Sequence, residues 1–184
     1  PELEKFLPPW FLEGGKPKGN PPKYTLFNGH EILVYASDEE QKMRSMNLTR
    51  FHIEEGSGVD HAIFNQLQTR LRSHAGKVFD DNGVEVGDKF SGIISTNPED
   101  CWIKEDFLFK SFRLNGSKHA DLEAYEPLMA PKREESFETF ISTSFDNTML
   151  PRGTIERISA GKDDRWRRKY LYSILDQREG LVYA

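Results

Sequence analysis

Three Asn-Gly steps punctuate this chain, at Asn28-Gly29, Asn82-Gly83 and Asn115-Gly116. Asn and Gly adopt positive φ at low cost, so such steps between short apolar runs mark tight β-turns. Tyr24–Phe27 and His30–Tyr35 flank the first step and predict a β-hairpin. Val78-Phe79 and Val84-Glu85-Val86 flank Asp81-Asn82-Gly83 and predict a second. The third step closes Trp102–Leu114, which reads as one or two strands. Leu48–Glu54, Phe90–Thr96, Phe137–Phe145 and Thr154–Ser159 also read as strands, with Asn97-Pro98 ending the second of them.

Helical signals are fewer. Ser37-Asp38-Glu39-Glu40 has the form of a capping box opening a short helix to about Met46. Over Asp60–Ala75, Ile63, Phe64, Leu67 and Leu71 share one helical face, and Gly76 follows as a stop. A last helix is expected from Asp163 to about Gln177, with Gly180 beyond it and Trp166, Tyr170, Leu171, Ile174 and Leu175 as its apolar stripe. Hairpins in place of regular βαβ units predict an α+β fold: a mostly antiparallel sheet or small barrel with two or three packed helices.

Residues 1–23 carry six of the ten prolines and three glycines. Proline fixes φ and removes a backbone donor, so this stretch is expected to be a tail. Its Phe6–Leu12 run pins the tail to the domain or docks a partner, with Trp10 and Phe11 as the contact residues. Residues 24–184 then form a single α+β domain. The 184-residue length suits one domain, and 13 Phe, 6 Tyr and 3 Trp supply the core.

Cys101 is the single cysteine, which excludes an intrachain disulfide and a Cys-rich zinc site and favours a reducing, intracellular setting, nuclear or cytoplasmic. No stretch approaches the length of a membrane-spanning helix, and the Pro1-Glu2-Leu3-Glu4 start is unlike a signal peptide. The absence of an initiator Met suits a processed chain or a piece of a larger protein.

The net charge of −5 is uneven. Pro151–Ala184 holds eight Lys/Arg against five Asp/Glu, and the first 150 residues hold 17 against 25. An acidic body with a basic end excludes a whole-surface nucleic-acid binder and leaves room for one local basic contact. Arg165, Arg167, Arg168 and Lys169 interleave with Trp166 and Tyr170, a pattern that suits phosphate contact, base stacking or an acidic protein partner. The 3.6-residue period predicts these four basic residues exposed and Trp166, Tyr170 and Ile174 buried.

A metal site and two enzymatic alternatives stand beside that reading. His52 and Glu54 share a strand face and His61 opens the following helix, a possible metal set with Asp60 nearby. Glu99-Asp100, Glu105-Asp106 and Asp121-Leu122-Glu123, with Lys104 and Lys110 close in sequence, suit a metal-dependent nuclease if they converge. Ser142-Thr143-Ser144, with Gln177-Arg178-Glu179 downstream, resembles the Ser-Thr-Ser strand and Gln-x-Glu turn of mono-ADP-ribosyltransferases. That resemblance covers about nine residues. It implies that Ser142 supports an NAD-binding strand, that Glu179 stabilises an oxocarbenium-like transition state, and that Arg113 holds the NAD phosphates. The 29 positions between Arg113 and Ser142 are short for that family, and a basic helix stands where the family has strands.

No Walker loop, dinucleotide Gly-x-Gly-x-x-Gly, nucleophile elbow or zinc-finger spacing occurs. The leading expectation is therefore a non-catalytic interaction domain without a cofactor, binding a protein or nucleic acid through the basic helix, the aromatic tail or both.

Overall fold

The computed structural model describes residues 10, 12, 19, 22–37 and 40–175. Both Asn-Gly hairpins of the first half form. β1 (Lys23–Thr25) pairs antiparallel with β2 (Glu31–Leu33), and β4 (Lys77–Phe79) pairs antiparallel with β5 (Glu85–Asp88). The two turns are built alike. Gly29 and Gly83 sit at φ +78 and +77, and their N–H groups donate to Leu26 and Asp80. Each is thus a three-residue loop ending in a left-handed glycine.

The remaining strands pair in parallel. β3 (Arg50–Ile53) joins β6 (Ser91–Ile94), and β7 (Ser111–Gly116) joins β8 (Glu134–Ile141). The fold is α+β, with four two-stranded sheets, and no barrel closes among the described residues. The parallel pairs depart from the mostly antiparallel expectation. Long connections, through α2 and the β4–β5 hairpin in one case and residues 117–133 in the other, return each chain to the same end.

Four local expectations are corrected. α2 covers His61–Gln68 only, so Leu71 leaves the helix and bridges Leu48 instead. Thr69 Oγ1 donates back to Gln66 O at 2.8 Å, a local bond that competes with further helix. Trp102–Lys110 is not strand. It includes one π-helical turn at Lys104–Leu108, with Ile103 and Leu108 facing inward. Thr154–Ser159 is helix α3, not strand, opened by Gly153 at φ +77. Asn115-Gly116 makes no turn and lies within β7, paired with Phe140 and Ile141. Gly116 serves close packing there, because a Cβ would sit 2.7 Å from Leu122 Cδ2 and 2.9 Å from Ala120 Cβ.

The main core gathers Met43 of α1 (Glu40–Met43), Ile53 of β3, and Ile63, Phe64 and Leu67 of α2. Aromatic rings extend it. Phe64 meets Phe51 at 6.0 Å, Trp102 at 5.3 Å and Phe107 at 5.0 Å, and Phe107 meets Phe137 at 4.8 Å. Trp102 Nε1 donates to Val59 O at 2.9 Å, so the half-buried indole packs on the core with its polar atom satisfied. α4 (Asp164–Tyr170) ends the described fold, and no described helix is long and apolar enough to cross a membrane.

Candidate functional site

α4 is shorter than its sequence period implies, but its start is as expected. Asp163 caps it, accepting from Trp166 N at 2.7 Å. Its end is fastened to the segment after β8. Ser144 N donates to Leu171 O at 3.0 Å and Ser144 Oγ to Tyr170 O at 2.8 Å, while Ser173 Oγ donates to Ser142 O at 2.5 Å. Leu171 is buried at this seam, and the Tyr125 hydroxyl donates to Ser173 O. Tyr125 is 1% exposed, and burial pushes its phenol up to about 12. Thr143 and Asp146 lock the same corner. Thr143 N and Oγ1 both donate to Asp146 Oδ2, at 2.8 and 2.9 Å. Hydrogen bonds from Ser117 and from the Thr143 backbone hold the Asp146 carboxyl below its ordinary value.

Arg165, Arg167 and Arg168 stand exposed on α4, and Arg152 and Arg157 are exposed before it. Arg167 reaches Ser159 O at 3.4 Å and Asp164 at 3.8 Å. Lys169 departs from the expectation: it is half-buried and pairs with Glu99 at 3.0 Å. Partial burial pulls its ammonium down, but hydrogen bonds to Glu99 and Tyr170 outweigh that and hold it above the ordinary lysine value. The apolar stripe is also less covered than expected. Trp166 and Ile174 are half-buried, and Tyr170 is 37% exposed. The reason is that the two rings pack on each other, 5.1 Å apart, with Lys162 5.5 Å from the Trp166 ring and Lys169 4.8 Å from the Tyr170 ring.

The other candidates are dispersed. Trp10 is 73% exposed with its ring 6.4 Å from Phe27, and Leu12 bridges Leu26. Phe11 lies outside the described residues. His52 and Glu54 do meet, at 3.3 Å, and both contact Ser95 Oγ, at 3.2 and 2.6 Å. His61 does not join them. It stacks on Trp102 at 4.7 Å and pairs with Asp106 at 3.1 Å. Among the described residues no three His, Cys, Asp or Glu side chains gather as a metal site.

Arg113 pairs with Glu138 at 3.5 Å, its register partner on β8. Ser142 lies four residues further along that chain, about 13 Å at strand rise, so the two do not meet. β8 ends at Ile141, so the Ser-Thr-Ser run leaves the strand and becomes the seat of α4. Glu179 and Gln177 lie outside the described residues. Two of the three acidic groups are held by lysines: Lys104 bonds Asp100 and lies 3.6 Å from Glu105, and Lys110 lies 3.6 Å from Asp106, whereas Asp121 accepts from Ala124 N at 3.3 Å.

One concave feature lies elsewhere. A groove of about 300 Å³ opens between α2, the π-turn and the start of β8. Phe64, Phe107 and Phe137 form its apolar lining, and His61, Asn65, Gln68, Asp106, Lys110 and Glu134 its polar lining. His61, Asn65 and Gln68 fall at i, i+4 and i+7, so one half was readable as a polar helix stripe. Glu134 and Phe137 come from far along the chain, and no local pattern reveals that they join it.

No protein-family model matches this chain, and no curated protein or solved structure is significantly similar to it.

Proposed function

We propose that this chain is a non-catalytic interaction domain, part of a larger intracellular protein, that holds a polyanionic partner on the basic face of α4. The observation that carries this reading is the exposure of Arg165, Arg167 and Arg168 on a helix whose end is hydrogen-bonded to the body. A helix held in place presents its charges without first ordering them, which lowers the cost of association. Lys162 and Lys169 already lie over the Trp166 and Tyr170 rings, so charge contact rather than base stacking drives the interaction. Exposed Trp10 offers the tail as a second contact. The lone thiol of Cys101 supports a nuclear or cytoplasmic setting. The separation of Arg113 from Ser142, and of His61 from the His52–Glu54 pair, gives the enzymatic alternatives no comparable support.

The test is titration of DNA, RNA and an acidic peptide into the wild type and the Arg167→Glu, Arg168→Glu double variant at two salt concentrations. The double variant should lose binding and keep its melting curve. With nucleic acid, affinity should fall steeply with salt, because each neutralised phosphate releases counterions. Equal binding by the two proteins would remove α4 from the interface.

A further inference from the structure

The groove between α2 and β8 has a chemistry opposite to that of α4. Its apolar lining is three phenylalanines, with Phe107 5.0 Å from Phe64 and 4.8 Å from Phe137. Ring faces carry negative quadrupole potential and attract cations. Two carboxylates stand beside them. Asp106 is already matched, by His61 at 3.1 Å and Lys110 at 3.6 Å. Glu134 is exposed and has no ion-pair partner among the described residues. Beside the matched Asp106, the polar lining therefore leaves the Glu134 charge unpaired among the described residues. Glu134 also begins an acidic strand, Glu134-Glu135-Ser136-Phe137-Glu138, in which Glu138 is paired with Arg113. The Asn65 and Gln68 amides, both exposed, complete the wall on the α2 side.

An anion would meet the unpaired Glu134 here, and a neutral apolar group would offer that carboxylate no partner. A cation with a flat apolar surface satisfies both halves. The guanidinium is planar, weakly hydrated, stacks on aromatic faces and binds a carboxylate through two parallel N–H bonds. We propose that this groove takes the arginine side chain of a basic peptide, with Glu134 as its carboxylate partner and Phe107 and Phe137 as its stacking surface. The groove is open at the surface and runs into an acidic strand, which suits a side chain presented by a peptide more than an enclosed small amine. This inference concerns a different face from α4 and does not rest on the polyanion reading.

The experiment is an NMR titration of the full chain with a glycine-flanked arginine peptide, its citrulline analogue and methylguanidinium. The arginine peptide should shift the amides of Asn65, Lys110 and Phe137, with the citrulline analogue and the Glu134→Gln variant each roughly tenfold weaker. Glu134→Asp should retain part of the binding. Equal affinity for the citrulline analogue would overturn the proposal, since the groove would then be reading shape alone. Methylguanidinium binding as tightly as the peptide would overturn the peptide assignment. The absence of shifts at these amides with millimolar peptide would overturn the site.

Discussion

Two regions of this molecule mix aromatic rings with charge, and they do so in opposite ways. Around Phe64 the rings pack on rings: Phe51, Trp102 and Phe107 each meet it, and Phe137 extends the row. Charge is kept to the edge, where His61, Asp106 and Lys110 satisfy one another. On α4, Trp166 and Tyr170 have each other, and lysines lie over their faces. The first arrangement removes large apolar areas from water and fixes the fold. The second leaves area exposed and displays charge. The same residue types become core or surface according to whether distant segments converge on them.

Truncation separates the two most directly. Phe64→Ala should cost about 3–5 kcal/mol, the range for emptying a packed aromatic site. Trp166→Ala, on a half-covered ring, should cost about 1–2 kcal/mol. Chemical denaturation of both variants measures the difference. Equal losses would erase the distinction between the two regions.

The seam that ties α4 to the body gives the next largest effect, and it depends on pH. Burial raises the Tyr125 phenol from 10.0 to about 12, so the folded state favours the neutral form. The stability tied to that proton is fully present below pH 10 and is lost as pH rises from 10 to 12. The loss should reach roughly 2–3 kcal/mol at the upper end. Tyr125→Phe should flatten this alkaline limb, while leaving the Ser173 carbonyl without its donor at a cost of about 1–3 kcal/mol at neutral pH. Stability of the wild type that stays flat between pH 10 and 12 would mean that the phenol ionises without disturbing the seam.

The unequal legibility of the two regions has the same origin. Both hairpins were readable because a left-handed glycine is a local demand, met at Gly29 and Gly83. Ile63, Phe64 and Leu67 were readable because one helix face repeats every turn. Asn115-Gly116 misled, because its glycine answers a tertiary demand, the approach of Leu122 and Ala120. Ser142–Ser144 had the composition of a strand, yet its bonds go to the end of α4, nearly thirty positions away. Thr154–Ser159 was hidden by its β-branched residues, whose strand preference is weak beside tertiary context. Of the candidate sites, the exposed arginines were legible as a period, whereas the groove needs two segments that only the fold brings together.

The smallest expected effect concerns the contact between α4 and the loop after β6. Lys169 and Glu99 are 3.0 Å apart, and both side chains remain in partial contact with water, at 24% and 39% exposure. Solvent screens such a pair, so Lys169→Met should change stability by less than about 1 kcal/mol. Because the folded lysine is held above its ordinary value, the contribution is complete at neutral pH and fades only as pH rises through that raised value. High salt should shrink it further. The variant therefore separates display from support. If Lys169 is a partner-binding residue, as the sequence pattern suggests, Lys169→Met should weaken polyanion binding about as much as Arg168→Met does, at unchanged stability. If its ammonium is committed to Glu99, binding should hold while the Arg168 variant weakens. The geometry favours the second outcome, and paired titrations of the two variants at one salt concentration decide between them.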